Sequence, residues 1–522
     1  MMCEQERRAK AHSETGYSRR LFLGGTLAVA VGGSLLDAST SSAGEGPAKV
    51  KLWVGAATAD ITPDRPVPLT GGKSVRVSRG IQSRCTANVL ALESRDGDRV
   101  VDQAILVSCD LCVIRPGIQD GFRKHVAARL PGFDITKLFL AATHTHSAPV
   151  LMQGRYAEKD YGDAMQPKDY VPWLYQRMAE AVVKAWESRA VGAVAWGLGH
   201  AVVGCNRRVV YADGSGKMYG NTNDPRFRQI EGYEDHAADI LCFYDDQRQL
   251  KATAITLACP AQVTEGGDQL SADFWHEVRE RLRSRHGQEL CVLGFCAPAG
   301  DQSPHRLYRK RSEARMDKLR GLTECQELGR RIAQTFGEVV DVIAKDIRSD
   351  VPMVHLVRQV DLPARIVTEA EYAEAKKICD GLDAKPVKGP TDVWTRNFYG
   401  LVVDRYQTQQ QGNRVYPTEL HVLRLGDVAI ATNPFELYVD YGVQIQARSP
   451  AEQTVLIQLA GALDHAYYVP TPRAVQAGGY SAEVTHNLIG PEGAQALVER
   501  TLTEINALWP ATPPRQSRAA GR

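Results

Sequence analysis

The chain has 522 residues, 43% of them apolar and 24% charged, with a formal net charge of +2. That balance excludes a disordered or membrane-spanning chain, and no run of basic residues interleaved with aromatics marks a nucleic-acid partner. The length exceeds the roughly 250–300 residues at which one core stops growing, so two lobes or two domains are expected.

Residues 1–43 read as an export signal. Arg19-Arg20 precede Leu21-Phe22-Leu23, an apolar run follows to about Leu36, and Ser41-Ser42-Ala43 supply a small-residue cleavage site. The paired arginines point to the bacterial twin-arginine route and a periplasmic or extracellular protein. The apolar run is short for a permanent membrane span.

From residue 50 the pattern alternates between strands and helices. Short apolar runs at 54–63, 104–109 and 138–143 suit buried strands. Residues 170–188 place Trp173, Leu174, Met178, Ala181 and Val182 on one helical face, and 271–286 do the same with Phe274, Val278 and Leu282. Residues 311–347 hold one long helix or two, and Thr368 with Glu371 forms a capping box.

The fold class is therefore α/β, with an N-terminal lobe over 50–383. Residues 384–416, rich in Pro, Gly, Gln and Asn, read as a connecting segment. A C-terminal lobe follows over 417–509, with strands at 420–425 and 428–432 around the Gly426-Asp427 turn and a helix over 436–447. Residues 510–522 form a Pro/Arg/Ala-rich tail predicted to be disordered. Cys109 and Cys112 have C-x-x-C spacing, but no second pair accompanies them, which favours core packing.

Four stretches carry candidate chemistry. Thr143-His144-Thr145-His146 follows a strand, and as alternate strand residues the two imidazoles would project from one face about 6–7 Å apart. Gly300-Asp301-Gln302-Ser303-Pro304 is a turn after an apolar strand, where Ser303 could act as a nucleophile or oxyanion donor, or simply shape the turn. Glu436 stands at a strand-to-helix junction, as a first-turn acid or a metal carboxylate. Tyr468 and Tyr480 read on their own as packing tyrosines.

Together with Val54–Pro63, these elements occur in the order seen in neutral/alkaline ceramidases, and the chain resembles that family from about Leu52 to Trp509. The resemblance implies a ceramidase-like catalytic domain of mixed sheets and helices, here without the family's C-terminal immunoglobulin-like domain. It also implies a zinc ion whose bound water attacks an amide. His144 and Glu436 resemble zinc ligands, Tyr468 the metal tyrosine, His146 the neighbouring site histidine and Ser303 the catalytic serine. Tyr480 and Arg207 (or Arg208) resemble substrate-site residues.

One departure stands out. Cys259, in Ala258-Cys259-Pro260, occupies the place of the family's second zinc histidine. Zinc with mixed Cys, His and carboxylate ligands is chemically reasonable. Alternatively Gln262, Glu265, His236 or His276 fills the gap, or the metal is lost. The expectation is a zinc-dependent amide hydrolase acting on an N-acylated lipid or related N-acyl compound, with peripheral membrane contact compatible with such a substrate. The rival is a non-catalytic extracytoplasmic binding protein that kept the fold and lost the metal.

Overall fold

A computed structural model of the chain describes residues 50–461 and 467–509, so the export signal and the tail lie outside the described residues. The long strand-forming runs build one eight-stranded sheet. Its order is Cys291–Cys296, Leu250–Leu257, Ala237–Asp245, Ala190–His200, Lys51–Asp60, Thr86–Asp96, Arg99–Cys109 and Leu138–Ala142. The inner pairings are antiparallel and the outermost pair at each edge is parallel. The sheet curls until its two ends meet: Ser108 Oγ donates to Gly294 O at 2.6 Å, and Cys291 Sγ approaches Val89 O at 3.6 Å.

Both faces of this sheet are covered, which is why Thr86–Asp96 and Leu138–Ala142 read as nearly unbroken buried runs. Helix Pro167–Glu187 lays Met178, Val182 and Ala185 against Val89, Ile105 and Val107. Helices Phe274–His286 and Glu324–Ile343 cover Ile240, Ile255 and Val292. The opposite face packs Leu90, Leu106 and Phe139 on Leu423, Ile430 and Val455 of a second sheet. That four-stranded sheet runs Met353–Pro363, Val415–Leu425, Val428–Thr432, Gln453–Ile457, and is covered in turn by helices Val439–Arg448 and Pro491–Leu508. The result is four layers, helix, sheet, sheet, helix.

The predicted lobes need redrawing. Strand Met353–Pro363 pairs along its whole length with Val415–Leu425, so the second sheet begins well before residue 417. The supposed connecting segment 384–416 contains helix Asp392–Gln410, which packs on helix Glu369–Asp383 through stacked Tyr372 and Tyr406 rings 4.3 Å apart. The segment is a half-buried helix rather than a linker, with Trp394, Phe398 and Val402 buried. Residues 311–347 hold two helices, Lys310–Arg320 and Glu324–Ile343, with left-handed Gly321 ending the first. The capping box at Thr368 forms as expected. No helix among the described residues is long and apolar enough to cross a membrane.

Candidate functional site

The site assembles where several strands end. Just beyond Arg99–Cys109 comes Cys112, beyond Leu138–Ala142 come His144 and His146, beyond Leu250–Leu257 come Gln262 and Glu265, and beyond Val428–Thr432 comes Glu436. Backbone bonds fasten these exits together: His144 N donates to Leu111 O at 3.0 Å and Ala261 N to Thr143 O at 3.1 Å. Sites gather at such strand ends because side chains there escape the sheet while their backbone stays fixed.

The His-x-His stretch departs from the strand expectation. The strand ends at Ala142, and His144 takes a left-handed conformation with φ 68°. Its ring therefore turns toward that of His146, with centroids 4.8 Å apart and Nε2 atoms 3.3 Å apart. Gly71 makes room for the second ring, since a Cβ there would stand 2.4 Å from His146 Cγ.

Hydrogen bonds fix the protons. His144 Nδ1 lies 2.6 Å from Cys112 O, so it carries hydrogen and leaves Nε2 with a lone pair. Arg207 Nη1 donates to Gln262 Oε1 at 3.1 Å, which aims the Gln262 amide nitrogen at His146 Nε2, 2.8 Å away. That leaves His146 Nε2 as acceptor and its Nδ1 protonated beside Glu265 Oε2 at 2.9 Å, although poorly aligned for a hydrogen bond. The His144 Nε2 lone pair thus has no donor, and it lies 3.3 Å from a His146 Nε2 whose own lone pair is taken by Gln262.

Cys112 completes the cluster. Its Sγ is 3.9 Å from His144 Nδ1, and ligand atoms of Cys112, His144 and His146 all lie within 4.8 Å of one another. Burial alone would raise the thiol, but the two imidazoles outweigh it and hold Cys112 well below the usual thiol range. Burial would lower His144, yet Glu436 and Cys112 raise it overall. The same contest lifts His146, through Cys112 and Glu265. Glu265, desolvated but beside His146 and hydrogen-bonded to His305, is held far below its ordinary range.

Glu436 sits in a two-residue strand, not in a helix; the helix starts at Val439. This short strand runs parallel to Tyr468–Val469 with Glu436 directly opposite Tyr468. Glu436 Oε2 stands 3.6 Å from His144 Nε2 and 3.4 Å from Arg207 Nη2. Gly300 lets this strand approach, because a Cβ there would be 2.3 Å from Glu436 O. Burial pushes the Tyr468 and Tyr480 phenols up, so both stay protonated. Their rings meet edge-on at 5.7 Å.

A narrow inner cavity of about 50 Å³ is lined by Cys112, His144, His146, Glu436, Tyr468 and Tyr480 among others. An outer hollow of about 520 Å³, sharing His146, Tyr468 and Tyr480, adds Arg207, Tyr219 and Glu265. The expected residues His144, His146, Glu436, Tyr468, Tyr480 and Arg207 are therefore brought together. Arg208 instead braces the wall, paired with Glu231 and with the Tyr480 carbonyl.

Two expected site residues lie elsewhere. Cys259 is buried in the apolar cluster with Val203, Ala261 and Phe274, and burial raises its thiol. The chain turns after Leu257 so that Gln262, three residues further on, reaches His146 instead. Ser303 is fully buried in a short ladder opposite Cys205, its Oγ accepting the His305 N–H at 3.1 Å, and it lines neither hollow. His236 faces Glu234 at 3.6 Å, and neither it nor His276 lines the hollows. Sequence reasoning missed Cys112; the available signal was its place just past a strand end, on the strand beside the one that delivers His144.

A metal fits this donor set. Two nitrogens each about 2.0–2.1 Å from a tetrahedral zinc would lie about 3.3–3.4 Å apart, and the imidazole nitrogens here are 3.3 Å apart. The His144 Nδ1–H bond to a carbonyl is the kind of outer contact that orients a ligating histidine.

The fold and this cluster define an α/β protein with a buried histidine–thiol–carboxylate pocket. Among solved structures it is similar to a ceramidase complexed with C2, at 18% identity and TM-score 0.63, over 88% of this chain and 75% of that one. It is likewise similar to the neutral ceramidase of Pseudomonas aeruginosa, at 18% identity and TM-score 0.62, over 88% and 74%. The chain thus has the neutral ceramidase fold. No family model and no curated protein matches it.

Proposed function

We propose that the chain is an exported, zinc-dependent hydrolase that cleaves an amide bond of an N-acylated lipid or related N-acyl compound. At 18% identity the solved ceramidases support the fold, so the chemistry rests on the cluster itself. The observation that carries it is the Cys112–His144–His146 cluster, with ligand atoms all within 4.8 Å of one another and a His144 Nε2 lone pair that has no donor; a cation there would satisfy it and take His146 Nε2 in place of the Gln262 amide. Cys112, His144 and His146 would hold the metal, with Glu436 and Tyr468 bordering it. Bound there, zinc would polarise a carbonyl and acidify a water, less strongly with a thiolate ligand than with a third nitrogen.

The remaining roles fall to this chain's own groups. Glu436, buried beside His144 and Arg207, is placed to take up or return a proton within the inner cavity. The protonated phenols of Tyr468 and Tyr480 can donate to a developing oxyanion. Arg207 fixes the Gln262 amide, and through it the tautomer of His146.

Elemental analysis of the purified chain tests this directly. About one zinc per chain is expected, together with hydrolysis of an N-acyl substrate that a chelator abolishes and added zinc restores. A folded protein without zinc and without chelator-sensitive turnover would leave a binding protein on an enzyme's frame. For export, replacing Arg19 and Arg20 with Lys should trap the precursor in the cytoplasm; unchanged export would discard the twin-arginine route.

A further inference from the structure

The inner cavity holds more positive charge than an uncharged amide needs. Arg155, 5% exposed, lines it. Its Nη2 meets only the Tyr467 hydroxyl, at 3.4 Å, while Nε and Nη1 have no hydrogen-bond partner. Its guanidinium lies 5.4 Å from the Phe398 ring centroid and 5.7 Å from that of Tyr156, so its surroundings are aromatic rather than acidic. Lys73 lines the same cavity, with Nζ 5.1 Å from the Trp394 ring centroid and 5.7 Å from that of Tyr480. Lys73 has no carboxylate partner among the described residues. Among the described lining residues the one carboxylate is Glu436, already engaged by His144 and Arg207.

Burying a guanidinium with two donors unmatched is strongly unfavourable unless something supplies the missing acceptors. The walls do not. The cavity that Arg155 faces is the one onto which Cys112, His144 and His146 open. We infer that this cavity receives a compact oxyanion, a carboxylate or phosphate, carried by the substrate, with Arg155 and Lys73 as its binding residues. The inference rests on the hydrolase reading for the word substrate, and it narrows the class to anionic N-acyl compounds such as N-acyl amino acids. The inner cavity of about 50 Å³ is the narrower of the two, so the acyl chain is assigned to the outer hollow of about 520 Å³. Guanidinium donors recognise an oxyanion through charge-assisted hydrogen bonds.

The test compares N-octanoylglycine, its uncharged glycinamide and N-octanoylethanolamine phosphate. Binding to the full chain is measured by calorimetry and turnover is measured in parallel. The wild type should bind one of the anionic compounds at least about tenfold more tightly than the glycinamide, and which one it prefers assigns the oxyanion. Arg155→Gln should erase the preference, Arg155→Lys should keep part of it, and Lys73→Met should reduce it. Lys73 is exposed, so that variant remains informative if Arg155→Gln fails to fold. Equal binding of charged and uncharged compounds, or a preference untouched in Arg155→Gln and Lys73→Met, would overturn the inference. Selective binding without turnover would sink the hydrolase and leave the anion site standing; turnover blind to charge would do the reverse.

Discussion

Among the described residues two pairs of histidines stand at hydrogen-bonding distance, and they differ in one respect. Between the two sheets, His355 Nε2 lies 2.9 Å from His421 Nδ1, His355 Nδ1 faces Gln103 O at 3.2 Å, and His421 Nε2 meets Glu419 at 3.0 Å. With both rings neutral, His355 Nδ1–H donates to Gln103 O, His421 Nδ1–H donates to His355 Nε2, and Arg123 Nη2, at 3.5 Å, offers a donor to His421 Nε2. Burial, with Lys137 and Arg123 nearby, holds both rings below the usual histidine range, so both are neutral. At the strand ends, His144 and His146 are 3.3 Å apart, but Gln262 already occupies the His146 Nε2 lone pair and that of His144 Nε2 has no donor, while the thiol and carboxylates around them favour positive charge. Proximity is common to both pairs. A hydrogen-bond account that fails to close is what marks one of them as a place for a cation.

The largest expected effect follows from that difference. His144→Ala should reduce zinc to below about one-tenth per chain in elemental analysis, because it removes an oriented ligand. His421→Ala should leave zinc in place and cost about 2–4 kcal/mol in urea unfolding through the unpaired groups it exposes inside. Zinc lost from His421→Ala, or kept in His144→Ala, would break the comparison.

The two thiols sharpen it next. Cys112→Ala should weaken zinc binding at least about a hundredfold in chelator competition. Cys259→Ala should not alter it and should cost about 1 kcal/mol in stability, as expected for a small cavity in an apolar cluster. The reverse order would restore Cys259 as the ligand.

Acid separates the pairs by sign. A histidine whose folded-state pKa is depressed leaves stability intact above its unfolded value of about 6.5 and loses it as pH falls below, since the unfolded chain takes up protons that the native state refuses. The inter-sheet pair should therefore cost about 2–3 kcal/mol between pH 6.5 and 5. Denaturation in urea at the two pH values measures it. The double variant His355→Gln/His421→Gln should flatten the slope, whereas a slope unchanged by the double variant would mean that the pair is not what titrates.

The same accounting explains what the sequence could and could not reveal. The α/β class was legible because strands covered on both faces read as apolar runs and helices as one-sided periodicity, whereas the division into lobes was not. His144, Glu436, Tyr468 and Arg207 could be placed because motif order along the chain survives even when spacing does not. Cys259 misled because chain order put it at the ligand position, while the turn after Leu257 carries Gln262 there instead. Cys112 stood out only through its spacing from Cys109, while its significance lies in His144 and His146, distant in sequence. Arg155 was invisible, because no local pattern encodes a missing partner.

Asp239 offers the smallest effect and the cleanest isolated case. It sits on strand Ala237–Asp245, 5% exposed, with a hydrogen bond at 2.8 Å from Gln453 of the second sheet and no cation beside it. Burial pushes its carboxyl up to about 7, the bond from Gln453 only partly opposing. A carboxyl raised on folding leaves stability fully present below the unfolded value of about 3.9 and erodes it as pH rises through the folded value. At pH 8 the native chain must therefore bury an unpaired carboxylate. Asp239→Asn keeps an oxygen for Gln453 and removes the charge, so it should stabilise the protein by about 1–2 kcal/mol at pH 8, shrinking toward zero by pH 4. Urea midpoints at the two pH values measure this. A variant equally stabilised at both would show that the gain comes from packing and not from the charge, and would remove Asp239 from the account that separates the two histidine pairs.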